Sequence, residues 1–300
     1  MTWAAIGAAH LDRIARSEGP VALASSNPAS VTASPGGVAR NVAETLARLG
    51  SPVRLLSRVG ADEAGGAVVE SARNAGVDVS GIEVVAGAPT AGYTALLDPA
   101  GRLVVAFADM AIYDGFDGAG LACRAVGCER WFVETNIPPD ALADLAGRKP
   151  VDTFLAADAV SVAKSERLRP ILPAIDLLFV NRDEARALTG TGEAREAATR
   201  LRTAGIDTVV VTLGADGILV AGPAGQKSLK AVPANICDVT GAGDALIAAT
   251  LDGLGRGAAM MTSIRLGLVA AAATLGYEGA VRPDIAAAVA TEAGHQPEVP

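Results

Sequence analysis

The sequence predicts an α/β protein: a mostly parallel sheet covered by helices, with a small β-sheet lid set apart from it. Three observations carry this. Strand-like runs alternate with helix patterns along most of the 300 residues, which is the rhythm of βαβ units. Half of the chain is apolar but only 3% is aromatic, so the core must be built from Ala, Val, Leu and Ile. That composition suits strands buried on both faces better than an aromatic-rich sandwich. Finally, residues 17–35 and 90–109 break the rhythm with small, polar or β-permissive segments.

The strand-like runs are TWAAIGAA (2–9), PVRLLSRVG (52–60), RWFVET (130–135), TFLAAD (153–158), DLLFVN (176–181) and DTVVVTLG (207–214). In VARNVAETLARLG, Val38, Val42, Leu46 and Leu49 recur at helical spacing and Gly50 is a natural stop. GEAREAATRLRTAG (192–205) repeats the design with a terminal Gly205. The last third reads as helices over 243–256, 260–275 and 283–292. Within 90–109, two strand runs flank Asp98-Pro99-Ala100-Gly101, with Pro and Gly where a turn needs them. No repeat, low-complexity tract or linker interrupts the chain. It therefore reads as one domain over 1–300, with a lid formed by about 14–35 and 90–112. Insertions of this kind commonly close over an active site.

A net charge of −8 argues against a nucleic-acid backbone or an anionic membrane as partner. Apolar charge-free runs such as 266–277 fall short of the ~20 residues of a membrane span. Cys123, Cys128 and Cys237 lack metal-ligand spacing, and the chain has two histidines, which argues against zinc. The thiols read as reduced ones of a cytoplasmic protein. The start, MTWAAIGAAHLD, lacks a basic stretch and meets Asp12, unlike a signal peptide. No Walker loop, strand-linked G-x-G-x-x-G or G-x-S-x-G elbow occurs.

Four stretches could carry chemistry. In CDVTGAGDALIAA (237–249), Gly241, Ala242 and Gly243 leave backbone N–H groups bare at a helix start, a site for an anion. Asp244 follows on the first turn, placed to take a proton beside such an anion, although first-turn capping explains it equally well. PGGVARNVAETLARLG (35–50) puts Gly36 and Gly37 before a helix with Asn41 one turn in, or is simply a tight turn. In VNRDEARALTG (180–190), Asn181 ends a strand and Glu184 opens a helix, which suits metal or phosphate contact or plain helix capping. VVVTLGADGILV (209–220) holds Gly214 and Gly217 between two strands, as a hairpin would.

The order GG-x-x-x-N, N-x-x-E, T-L-G-x-x-G, D-x-T-G-A-G-D resembles that of the ribokinase-like (PfkB) carbohydrate kinases, over essentially the whole chain. Within that family, SPGGVARN, the lid stretch YTALLDPAGRLVVAFADM (93–110), ETNIP (134–138) and DAVSVAK (158–164) look most similar to the pseudouridine kinases. The resemblance implies a ribokinase-like three-layer α/β/α body and transfer of phosphate from ATP to the 5′-hydroxyl of a ribosyl substrate. It implies pseudouridine, with other sugar or nucleoside kinases of the family as the alternative. It makes Asp244 the general base and residues 241–243 the anion hole. Asp12, Gly36, Gly37 and Asn41 are implied to grip ribose hydroxyls, with Lys164 as a further substrate contact; Glu134 could face the substrate or buttress the sheet. Asn181, Thr212, Gly214 and Gly217 are implied to line the ATP site, and Glu184 to hold Mg²⁺ through water. Asp238, Thr240 and Gly279 resemble the family's K⁺ site. His10 could meet the ligand or pack at its strand end, and a neutral packed histidine is the expectation. The lid's edge strands could pair two subunits into a homodimer.

Overall fold

A computed structural model describes residues 1–295, and its backbone follows the expected alternation of strands and helices. The first part runs β1 (Trp3–Ile6), β2 (His10–Ser17), β3 (Ala29–Gly36), α1 (Val38–Leu49), β4 (Val53–Leu56) and β5 (Arg58–Gly60). Next come α2 (Glu63–Asn74), β6 (Glu83–Val85), β7 (Gly92–Leu97), β8 (Leu103–Asp109), α3 (Gly118–Arg124), β9 (Arg130–Glu134) and α4 (Pro139–Gly147). The middle holds β10 (Phe154–Asp158), α5 (Val162–Ser165), β11 (Leu177–Asn181), α6 (Arg182–Thr189), α7 (Ala194–Thr203) and β12 (Thr208–Thr212). The chain ends with β13 (Ile218–Gly222), β14 (Gly225–Leu229), α8 (Ala242–Gly255), α9 (Met260–Leu275) and α10 (Ile285–His295).

Eight strands form the central sheet in the order β14-β13-β12-β11-β10-β9-β1-β4. The pairings from β4 to β12 are parallel, and β13 and β14 add an antiparallel edge. Parallel strands need helical crossovers, which cover both sheet faces, so consecutive strand residues must all be apolar. Trp3, Ala4, Ala5 and Ile6 are accordingly all inaccessible. Even and odd positions serve different cores. Ala4, Ile6, Trp131, Val133 and Leu178 pack beneath α3, α4, α6 and α7. Trp3, Ala5, Phe132, Ala156 and Phe179 pack beneath α1, α2, α8 and α9. The three-layer body with helices on both sides is thus as expected.

A separate four-stranded sheet, β3-β2-β7-β8, stands where the lid was expected. It begins at His10, earlier than residue 14, so Asp12 lies within this sheet. Asp12 is paired with Ser34 on one side and Tyr93 on the other, and Tyr93 with Ala108. Because side chains alternate across a strand, this row shares one face, and Val31, Leu96, Val105 and Phe107 share the other. Both crossings between body and smaller sheet are tied together: Tyr113 accepts from the Ala9 amide at 2.9 Å and donates to the Ala9 carbonyl at 2.8 Å. The run 52–60 divides into β4, in the central sheet, and β5, which pairs with β6.

Candidate active site

The chain starts at β1, adds β4 on one side, and later returns to β9 on the other. At such a reversal the connections leave in opposite directions, opening a crevice at the strands' carboxyl ends. From β1 the chain passes through Gly7 and Ala8 into β2, which carries Asp12. The Asp12 carboxylate lies 3.1 Å from His10 Nε2, so His10 has a carboxylate partner rather than a purely packing role. Gly36 faces Asp12 so closely that a Cβ there would lie 2.0 Å from its Oδ2. Gly37 caps α1 at φ 101°, and a Cβ would meet the Ala8 carbonyl at 2.4 Å. At position 37 only glycine fits, whereas a Cβ at position 36 would displace the Asp12 carboxylate.

Helix α8 enters the crevice from the far end of the sequence. Its cap, Gly241, is left-handed (φ 77°) and no side chain caps the amides of the first turn. A Cβ on Gly241 would fall 1.9 Å from the Ala280 carbonyl, whereas one on Gly243 would meet nothing within 4 Å. Gly241 thus shapes the turn, and Gly243 borders open space. Asp244, on that first turn, accepts a 2.8 Å hydrogen bond from Asn41 Nδ2. Burial pushes its carboxyl up to about 6; the Asn41 hydrogen bond, Arg40 and His10 oppose the rise and Glu134 adds to it. A carboxyl poised there is a base near neutral pH.

Of the two roles open to Glu134, facing the substrate or buttressing the sheet, the structure matches the second, because the side chain is fully buried. Its carboxylate accepts from the amides of Ala8 and Asn136 and from Asn136 Nδ2. Burial raises its pKa, and Gly7 is a glycine because a Cβ would lie 2.2 Å from Glu134 Oε1. Glu134 therefore supports the crevice floor. Lys164 donates to Asn136 Oδ1. Its pKa is lowered by burial, an effect that Glu134 opposes and Arg167 reinforces. Asn136, Lys164 and Arg167 line a cavity of about 310 Å³ that is also lined by Ala108 and Asp109 of the smaller sheet and by Met110 just beyond it.

At the end of β10 sits Asp158, which the sequence reading quoted within DAVSVAK without giving it a role. Burial, reinforced by Glu184 and Asp244, raises its pKa well above the usual carboxylate range. Its Oδ2 accepts from Val160, a β-branched residue held at φ 59°, where such side chains are strained. On the neighbouring strand, Asn181 and Glu184 form a complete capping box. Asn181 accepts from the Asp183 and Glu184 amides, and Glu184 accepts from the Asn181 amide at 2.8 Å. Glu184 is buried, which raises its pKa. Thr212 pairs with Asn181 across the sheet. Beyond it, Gly217 turns tightly (a Cβ would meet the Leu229 carbonyl at 2.1 Å), while Gly214 borders open space. Asp238 accepts from the Thr240 amide and hydroxyl and from the Gly279 amide. Burial alone would raise its pKa, but these bonds outweigh it and hold it below the ordinary value. This loop runs directly into the α8 cap.

A buried aspartate and an uncapped helix start thus meet near the reversal point of a parallel sheet, on a ribokinase-like fold. The chain belongs to the pfkB family of carbohydrate kinases, whose family model matches residues 2–287. It is 32% identical to pseudouridine kinase from Escherichia coli strain K12 over 295 residues, covering 94% of this chain and 93% of that one. It is 27% identical to ribokinase from Haemophilus influenzae, over 82% of each chain. Among solved structures, a carbohydrate kinase from Agrobacterium tumefaciens superposes with a TM-score of 0.87 at 34% identity, covering 98% and 97% of the two chains. Arabidopsis thaliana ribokinase, solved with ribose and ATP, shares the fold at 20% identity (TM-score 0.85, 96% and 98% coverage). Among the described residues no helix is long and apolar enough to cross a membrane.

Proposed function

We propose that this carbohydrate kinase transfers the γ-phosphate of ATP to the 5′-hydroxyl of pseudouridine. The observation that carries the nucleoside reading is the cavity beside Ala108. Ala108 lies two strands from Asp12 on the same face of the smaller sheet, or roughly 10 Å at ~4.8 Å per strand. A ribose held at Asp12 needs a base to extend that far, and Lys164, Arg167 and Asn136 offer donors for its carbonyls. The similarity to a pseudouridine kinase supports the same reading.

In this mechanism the four-stranded sheet is a lid that excludes water from the reacting groups. Asp12 and the close backbone of Gly36 and Gly37 orient the ribose. Asp244 takes the 5′-hydroxyl proton as the hydroxyl oxygen bonds to the γ-phosphorus and the bond to the β-phosphate oxygen breaks, releasing ADP. The amides of 241–243 face the transferring charge. ATP phosphates fit the uncapped start of α8, with Thr212 and Gly214 bordering the nucleotide. Among the described residues no cluster of three or more acidic or His/Cys ligands could hold a metal alone. Glu184 would hold Mg²⁺ through water, and the ion would supply positive charge against the phosphates. The loop braced by Asp238, Thr240 and Gly279 fits a K⁺ site that would screen charge beside the anion hole. The acidic surface and unpaired cysteines fit a cytoplasmic location.

Initial rates with ATP, Mg²⁺ and K⁺ on pseudouridine, uridine and ribose test the assignment. A clear preference for pseudouridine is expected. Preference for free ribose would sink the base-reading role of the cavity while leaving Asp244 in place.

We also propose a homodimer formed through the lid. Val31 and Phe107 on its outer face are 64% and 67% exposed, an apolar face suited to a second copy of itself. Sedimentation velocity is expected to report a dimer that Phe107→Glu converts to monomer. A monomeric parent protein at micromolar concentration would refute this.

A further inference from the structure

One buried cation in the crevice wall has no part in the mechanism above. Arg40 is 5% exposed on α1, next to Asn41. Its Nη1 donates to Asn41 Oδ1 at 3.0 Å and to the Pro35 carbonyl, near the end of lid strand β3, also at 3.0 Å. Its Nη2 is paired with Glu44 and donates to Ser71 Oγ, and Glu44 is paired in turn with Arg48. The guanidinium is thus held on both arms.

A guanidinium can only donate, and an ionised carboxylate can only accept. An amide between them has a single satisfactory orientation, with oxygen towards the arginine and nitrogen towards the aspartate. Turned over, Asn41 would set its oxygen against Asp244 and its N–H groups against Arg40, leaving two repulsive contacts in a poorly solvated site. We propose that Arg40 is a positioning residue for the catalytic carboxylate: by holding the Asn41 oxygen, it turns the Asn41 nitrogen onto Asp244. Because the same Nη1 grips Pro35, the carboxylate is aligned only when that end of the lid strand is seated.

The titratable groups facing Asp244 are Arg40 from α1, His10 from β2, Glu134 at the end of β9 and Asp158 at the end of β10. Of these, Arg40 touches the amide that Asp244 accepts from. Removing it takes away a favourable charge and the fixed donor together, and both losses favour the protonated, inactive form of the base.

The inference rests on Asp244 being the base, so Asp244→Asn is measured alongside Arg40→Met and Arg40→Lys. Each is first checked for folding by circular dichroism. The parent is expected to lose kcat below pH 6. In Arg40→Met, kcat is expected to fall about ten- to a hundredfold, and its acid limb to move up by about one pH unit. KM for ATP and acceptor should stay within about threefold of the parent. Arg40→Lys keeps the charge but not the fork, so an intermediate kcat with a nearly parental limb is expected. If Arg40→Met does not fold, that Lys result carries the test. Parental kcat and limb in the folded variants, with Asp244→Asn inactive, would overturn the role of Arg40 alone. An active Asp244→Asn would overturn the assignment of the base instead.

Discussion

Replacing Asp244 with Asn is expected to lower kcat by ~10²–10⁴-fold, with KM for ATP and acceptor within about threefold of the parent. The substitution preserves shape, and the new side-chain oxygen can still accept from Asn41 Nδ2, which lies 2.8 Å from the present carboxylate. What disappears is the ability to take a proton. Positioning and the helix-start amides remain, so binding should survive while turnover does not. Steady-state kinetics with calorimetric ATP binding separate these outcomes. Near-parental turnover would mean that another group, or water, receives the proton.

Gly241→Ala is the second large effect. At φ 77° an alanine costs about 1–2 kcal/mol, and its Cβ would also meet the Ala280 carbonyl at 1.9 Å. Backbone must move, and the moving part is the start of α8, where phosphoryl charge would be held. A kcat loss of ~10²–10³-fold is expected, the scale of a lost oxyanion donor, together with a lowered Tm. Gly243→Ala supplies the contrast, because its Cβ would enter open space. It should leave Tm unchanged yet weaken kcat/KM for ATP, if the proposed phosphate site lies in that space. If Gly243→Ala kept full activity, the first turn of α8 would not be the phosphate site.

The central strands were readable because burial on both faces demands unbroken apolar runs, and 130–134, 154–158 and 177–181 have them. Helix α1 was readable from its apolar spacing and its Gly50 stop, which indeed adopts the left-handed cap. Glu83–Val85 and Gly225–Leu229 were missed as strands, being short, partly exposed segments that carry charged or polar residues and show no alternation. In the site, the glycines and Asp244 stood out because bare backbone before a helix is unusual. The contact of Asn41 with Asp244 spans 203 residues of chain, a distance over which no local pattern carries information. Glu134 showed the same limit: a glutamate ending a strand reads alike whether it faces a ligand or lies beneath one. Arg40 looked like any helix arginine until the fold closed around it.

The smaller sheet writes two messages on alternate residues: Asp12, Tyr93 and Ala108 on one surface, Val31, Leu96, Val105 and Phe107 on the other. Such a strand has parity. One residue inserted ahead of Asp12 would turn its carboxylate to the outer face and Arg13 to the inner one, whereas two would leave the alternation intact. Viable length changes in this sheet should therefore accumulate in pairs, or in the turns at 18–28 and 98–102, where parity is not read.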